Sequence, residues 1–193
     1  GEEKFRIHNV GNPSYENIIN ETSMSLEQIS QEIDFDISNG KYIVLLKHPL
    51  SSEKGDAYQQ MEVTLKAVMK FRSQTGYKII GIYPNTDPGS YDILNAIKNF
   101  ENKTYIKFYK SLPRNLFINI MRNAKVLVGN SSLGILEAPF YKLPVINVGN
   151  RQKGRLNAGN VKFVGYDVDK ILELLYEACL DSKYRISMLS LKN

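Results

Sequence analysis

The chain alternates short apolar runs with longer segments in which apolar residues return every three or four positions. Tyr42–Leu46 (YIVLL) is the first uninterrupted run, and residues 77–83, 104–109, 125–128, Val145–Val148 and Val161–Val164 follow as further strand candidates. Runs without polar alternation suit strands covered on both faces, as in a parallel sheet. Between them, Met61, Leu65, Val68, Met69 and Phe71 fall near one side of a helix predicted over residues 57–73, which Gly76 ends. Helices are also expected over residues 90–100, over 116–124 with Leu112-Pro113 at the start, and over Val168–Leu180. Residues 1–40 read as a leading segment with short helices. One runs through Ile18-Ile19 after the Asn12-Pro13 turn signal; the other starts at Ser25, where Ser25-Leu26-Glu27-Gln28 has capping-box spacing, and reaches about Ile33. The tail after Asp181 is short and basic and predicts no element.

Strands alternating with helices, with no internal repeat or low-complexity linker, give a doubly wound α/β fold with a mostly parallel sheet. Its length suits one domain over residues 1–193. In the common strand order 3-2-1-4-5-6 the sheet reverses between the first and fourth strands, and ligands bind beyond their carboxyl ends. The first strand ends at His48 and the fourth at Asn130-Ser131, so two distant stretches are expected to meet at one crevice.

Charge and composition narrow the partners. The formal charge is +5, but the basic residues form no run interleaved with aromatics, so no nucleic-acid partner is expected. No apolar stretch approaches the roughly 18 residues that span a bilayer, and no signal peptide is visible, so no membrane partner is expected either. The single cysteine, Cys179, lies in a helical apolar pattern as a small hydrophobe, which fits a reducing, cytoplasmic location. The chain opens on Gly1 rather than Met, which reads as a boundary inside a longer protein.

The candidate chemistry gathers in residues 128–155. An apolar run ends in Gly129-Asn130-Ser131-Ser132; a helix-compatible segment with one acid, Glu137, follows; a second apolar run then opens into a loop carrying Arg151, Lys153 and Arg155. Helix starts present unpaired N–H groups and a positive dipole end, a ready anion site. Ser131 and Ser132 sit where a helix N-cap belongs, a role serine fills routinely. Gly129 and Gly134 tip the balance toward close approach of the backbone to a phosphate. The spacing matches neither a Walker A loop nor GxGxxG.

Glu137 stands in an otherwise apolar segment with little polar company, and it is misplaced for a capping box from either serine. A carboxylate accepting two ribose hydroxyl protons explains it better. His48, at a strand end with Pro49 fixing the next turn, suits donation to a phosphate oxygen or proton transfer to a leaving group; His8 carries no such argument. Arg151 can fork onto a diphosphate, Lys153 reads as solvated, and Arg155 stays open. No Cys/His/Asp/Glu set has metal-ligand spacing and no Ser-His-acid arrangement is indicated, so neither metal nor cofactor is expected.

Gly129-Asn130-Ser131-Ser132-x-Gly134-x-x-Glu137-Ala138-Pro139, followed by Pro144-x-Ile146-Asn147-x-Gly149-x-Arg151-Gln152-x-Gly154-Arg155, resembles the hydrolysing UDP-N-acetylglucosamine 2-epimerases. Gly11-Asn12-Pro13, Lys47-His48-Pro49 and Tyr83-Pro84-Asn85-x-Asp87-x-Gly89-Ser90 match that family's other signposts in the same order, from about Asn9 to Leu180. The resemblance implies the C-terminal, Rossmann-like, nucleotide-holding domain of a two-domain glycosyltransferase-B arrangement, with the active site in the cleft between domains. It implies that Ser131, Ser132 and the helix start at Gly134 hold the diphosphate and that Glu137 binds the ribose. Asn85 and the backbone near Leu112 then lie by the nucleoside and its phosphates, with His48 and Arg151 on the phosphates.

The implied reaction removes the C2 proton of a UDP-sugar, expels UDP to leave a glycal-like intermediate, and adds water to release N-acetylmannosamine. Charge develops on the departing diphosphate, which preorganised donors stabilise; His48 is the catalytic candidate on this half. The acids that handle the C2 proton belong to the missing N-terminal domain, so that domain is an expected partner and this chain alone should turn over poorly. Homo-oligomerisation stays open, as does the choice of UDP-amino sugar. The product would feed a sialic-acid-like or surface-polysaccharide pathway. Two other readings stand beside this one: the donor half of a glycosyltransferase of the same architecture, and a nucleotide-sensing module without catalysis.

Overall fold

The computed structural model describes residues 2–10, 14–101 and 103–191. The apolar runs become six strands: β1 (Tyr42–Leu46), β2 (Lys78–Ile82), β3 (Ile106–Tyr109), β4 (Leu127–Gly129), β5 (Val145–Val148) and β6 (Val161–Val164). They form one sheet in the order β3-β2-β1-β4-β5-β6, with every neighbouring pair parallel. The order expected from the strand–helix alternation is therefore the one observed. The reversal lies between β1 and β4, where Leu46 faces Gly129 in register.

Helices α1 (Ser14–Asn20), α2 (Leu26–Glu32), α3 (Ala57–Thr75), α4 (Ser90–Lys98), α5 (Arg114–Asn123), α6 (Leu133–Leu136), α7 (Val168–Leu180) and α8 (Ser182–Leu189) complete the chain. Successive residues of a strand point to opposite faces, and both faces of β1 are covered. Ile43 and Leu45 join Leu65, Val68 and Phe71 of α3, Ile93 of α4 and Leu175 of α7. Tyr42, Val44 and Leu46 join Ile29 of α2 with Leu116 and Ile120 of α5. That two-sided burial is why β1 is an unbroken apolar run. The Tyr42 hydroxyl, buried in this layer, donates to the Ile120 carbonyl at 2.6 Å and so leaves no orphan donor.

Ser25 and Gln28 form the expected capping box on α2. Three expectations shift. The tail after Asp181 is helix α8, begun by an Asp181 side chain that accepts the N–H groups of Lys183 and Tyr184; Met188 packs inward while Ile186 and Leu189 face outward, so the weak periodicity hid it. Pro113 occupies the N-cap of α5 rather than its first turn, and the helix begins at Arg114. The segment after Ser132 is a single turn, α6, then a break at Glu137 and a 3-10 turn over Ala138–Tyr141. Pro139 lacks the amide that would carry the helix on. The Gly11-Asn12-Pro13 signal lies outside the described residues. Among the described residues no helix is long and apolar enough to cross a membrane.

Candidate functional site

Parallel strands deliver their carboxyl ends to one edge, and the sheet's reversal brings β1 and β4 together there. Asn130, 2% exposed, closes the junction. Its Oδ1 accepts the His48 backbone N–H at 2.7 Å, and its Nδ2 donates to the His48 carbonyl at 2.8 Å. Gly129 precedes it with φ at +142°, and a Cβ there would lie 1.9 Å from the Leu46 carbonyl oxygen. A Cβ on Gly134 would meet Val145 Cγ1 at 2.8 Å. Both glycines thus have a reason internal to the fold: one lets β4 leave beside β1, the other seats α6 on β5.

His48 is half-buried. Its Nδ1 accepts the Asn85 backbone N–H at 3.1 Å, so the neutral ring carries its proton on Nε2. Burial holds its pKa below the usual 6.5, and the charge of Arg151 adds to this, while the charge of Asp87 opposes it. Asp87 in turn accepts from Asn85 Nδ2 at 2.6 Å and lies 3.9 Å from Arg151 Nη2. Arg151 Nη1 and Gln152 Nε2 both donate to the Asn130 carbonyl, at 3.2 and 3.0 Å. The structure therefore joins His48, Asn85 and Arg151, three of the residues singled out in the sequence, through Asn130, Asp87 and Gln152.

Ser131 and Ser132 follow Asn130 directly. Ser132 stands at the N-cap of α6, but its side chain makes no cap hydrogen bond; Ser131 Oγ accepts the Leu133 N–H at 3.4 Å. Gly134 is buried and donates its N–H to the Ser131 carbonyl. One helical turn gives a weaker dipole than the longer helix expected here.

Glu137 does not lack polar company. Arg114 Nη2 donates to its Oε2 at 2.8 Å, and the Glu137 side chain is 16% exposed against 43% for Arg114. Burial, with the nearby Glu137 charge next, pushes the Tyr141 hydroxyl up to about 12. Leu112, half-buried, packs against the α2–α5 cluster just ahead of Arg114.

Beneath His48, Lys47 is buried: its Nζ donates to the Val148 carbonyl at 3.4 Å and lies 4.8 Å from the Tyr166 ring centre. Burial pulls its pKa down to about 7, against the opposing pull of Glu53. Glu53 accepts from Gln60 at 2.8 Å and Asn150 at 2.9 Å, with the Tyr166 hydroxyl at 3.3 Å, so it ties the turn after β1 to the loop after β5. Beside it, Asp56, Gln59 and Val63 complete the lining of a cavity of about 440 Å³. Among the described residues no group of three or more His, Cys, Asp or Glu side chains is arranged to hold a metal ion.

Lys47, Asp87, Asn130 and Gln152 sit inside the motifs read from the sequence, so their positions were signalled but their roles were not. Arg114 and Glu53 lie outside those motifs and carried no local signal.

Comparisons with known proteins give the chain a family and a fold. A family model described as UDP-N-acetylglucosamine 2-epimerase matches residues 1–192. The chain is 32% identical over 184 residues to a Neisseria meningitidis serogroup B protein called UDP-N-acetylglucosamine 2-epimerase, covering 95% of this chain and 47% of that one. It is 32% identical over 187 residues to a Legionella pneumophila protein called UDP-N,N'-diacetylbacillosamine 2-epimerase (hydrolyzing), covering 97% of this chain and 48% of that one. In fold it resembles the crystal structure of UDP-GlcNAc 2-epimerase from Neisseria meningitidis bound to UDP-GlcNAc, with a TM-score of 0.69 at 17% identity over 86% of this chain and 44% of that one. The chain spans about half the length of the curated relatives it matches.

Proposed function

The chain belongs to the UDP-N-acetylglucosamine 2-epimerase family, and from that footing we propose that it supplies the UDP-holding half of a hydrolysing UDP-amino-sugar 2-epimerase. The observation that carries the reading is the Asn85 N–H bond to His48 Nδ1, which leaves the ring's proton on Nε2 at the shared end of β1 and β4. There His48 Nε2–H, Arg151 and the hydroxyls of Ser131 and Ser132 are the donors for a diphosphate, and Glu137 is the acceptor for ribose hydroxyls. Asn85 and the Leu112 backbone lie by the nucleoside, and Gly134 belongs to the helix start that faces the phosphates.

Epimerisation begins with loss of the proton at C2. The C1–O bond then breaks, its electron pair leaves with UDP, and a C1–C2 double bond remains to which water adds. Negative charge grows on the leaving β-phosphate, so donors already oriented toward it stabilise the transition state more than the ground state. A neutral His48 suits this work, as its Nε2–H donates a hydrogen bond to the growing charge. Groups that take the C2 proton and return one belong to the other half of the enzyme, so this half binds UDP but turns over poorly alone. With one buried cysteine, a reducing, cytoplasmic compartment suits the protein.

The test is calorimetric titration of the complete gene product with UDP and GDP, followed by incubation with UDP-N-acetylglucosamine and UDP-N,N'-diacetylbacillosamine. Identity is 32% to a relative named for each sugar, so the sugar is decided by the product assay. UDP binding in preference to GDP, with release of UDP and the free 2-epimeric sugar, is the expected result. Transfer of the sugar to an acceptor without epimerisation would instead establish the glycosyltransferase reading, and UDP binding without turnover the sensor.

A further inference from the structure

We infer that Arg114 is a positioning residue for the nucleoside end of the site: its guanidinium holds the Glu137 carboxylate aimed as the ribose acceptor. This deepens the reading above and rests on it. Arg114 is the first residue of α5, where a cation meets the positive end of the helix dipole, and the first turn holds no acid to offset it. The position is electrostatically poor for the helix, so its partner matters. That partner is Glu137, 23 residues later, across the gap between α5 and the break after α6. The contact is a single Nη2–Oε2 bond of 2.8 Å rather than a bidentate fork, so Oε1 is not taken up by Arg114.

Two physical needs meet in this pair. A carboxylate accepting ribose hydroxyls must be charged and held in one orientation, and Glu137 is largely covered, where a lone charge is costly. The ligand also brings a diphosphate to the neighbouring Ser131–Ser132 turn, and an unpaired Glu137 would repel it. Arg114 meets both needs, cancelling the repulsion while leaving an acceptor oxygen. The two elements need no such bond to pack, because Leu116, Ile120 and Ala138 already join α5 and the 3-10 turn in one buried cluster.

The experiment is titration of the complete gene product with UDP, 2′-deoxy-UDP and 3′-deoxy-UDP, in the native sequence and in Arg114→Ala, Arg114→Lys and Glu137→Gln. A site that hydrogen-bonds a hydroxyl rejects the analogue lacking it, so the native protein should prefer UDP to at least one deoxy analogue by about tenfold or more. Arg114→Ala should bring that ratio close to one, and Arg114→Lys should restore part of it; a merely structural role would lower all three affinities together and keep the ratio. An unchanged ratio in Arg114→Ala, with the ratio lost in Glu137→Gln, overturns the role of Arg114 and leaves the ribose assignment intact. A native protein that does not distinguish UDP from either deoxy analogue, or does not bind UDP, overturns the ribose assignment itself and Arg114 with it.

Discussion

One Asn130 amide satisfies both backbone groups of His48, a residue 82 positions earlier in the chain: Oδ1 accepts the His48 N–H at 2.7 Å and Nδ2 donates to its carbonyl at 2.8 Å. The pairing is directional, since it needs an acceptor and a donor on the same side chain. It sets His48 at the sheet's reversal, and the Asn130 carbonyl, taken up by Arg151 and Gln152, carries the same fixed frame to the basic loop.

Asn130→Asp keeps the shape and the acceptor but turns the donor into a second, charged acceptor against the His48 carbonyl. We predict a loss of about 3 kcal/mol in unfolding free energy, the cost of a buried unsatisfied group with charge. Urea denaturation of the variant beside the native protein measures it. A loss under about 0.5 kcal/mol, the range of ordinary surface changes, would show that the junction does not depend on this amide.

Gly129→Ala and Gly134→Ala form a graded pair. At Gly129 the new methyl group meets backbone, at 1.9 Å from the Leu46 carbonyl, in a residue with φ at +142°. At Gly134 it meets the tip of the Val145 side chain at 2.8 Å. The first should cost about 3 kcal/mol or more and the second about 1–2 kcal/mol, because a side chain can shift where a sheet backbone cannot. Thermal unfolding should give that order; equal costs would contradict it.

Lys47 makes stability depend on pH. Burial lowers its pKa from 10.5 to about 7 in the folded protein, so between those values the unfolded chain binds more protons. Stability should therefore rise as pH increases from about 7 toward 10.5. Lys47→Met should remove that part of the slope and raise stability at neutral pH. His48 acts in the same direction lower down: its folded pKa lies below 6.5, so stability falls as pH drops below that value. Denaturation midpoints across pH, compared between native and variant, check both; equal slopes in native protein and Lys47→Met would refute the first.

Arg151→Ala and Glu137→Ala should each weaken UDP binding about tenfold or more, as loss of a charged hydrogen bond implies. Gln152 still holds the Asn130 carbonyl in Arg151→Ala, so the loop should keep its place. Calorimetry on variants with native circular dichroism decides it; unchanged affinity would remove that residue from the site.

Much of the architecture was legible along the chain. Strands and long helices have periodic signatures that depend on neighbours a few residues away, so the six runs could be read from local pattern, and the common order of a doubly wound sheet then brought His48 to Asn130-Ser131. Legibility failed where that periodicity was interrupted. Pro139 cuts the helix after Ser132 to one turn, and α8 buries only Met188 among its apolar positions, so its weak pattern passed for a tail.

The amino-acid sequence by itself determined which segments are strands and which residue types follow them, because burial on both faces of a parallel sheet leaves a mark on every residue of a strand. Only the tertiary structure decided what those residues do to one another. Gly129 and Gly134, which suggested room for a phosphate, are required by Leu46 and Val145; Glu137, which suggested isolation, is paired with Arg114; and His48 takes its tautomer from a backbone N–H 37 residues away. Hydrogen bonds and close packing act over about 3–4 Å between positions of any sequence separation, so no local pattern can announce them.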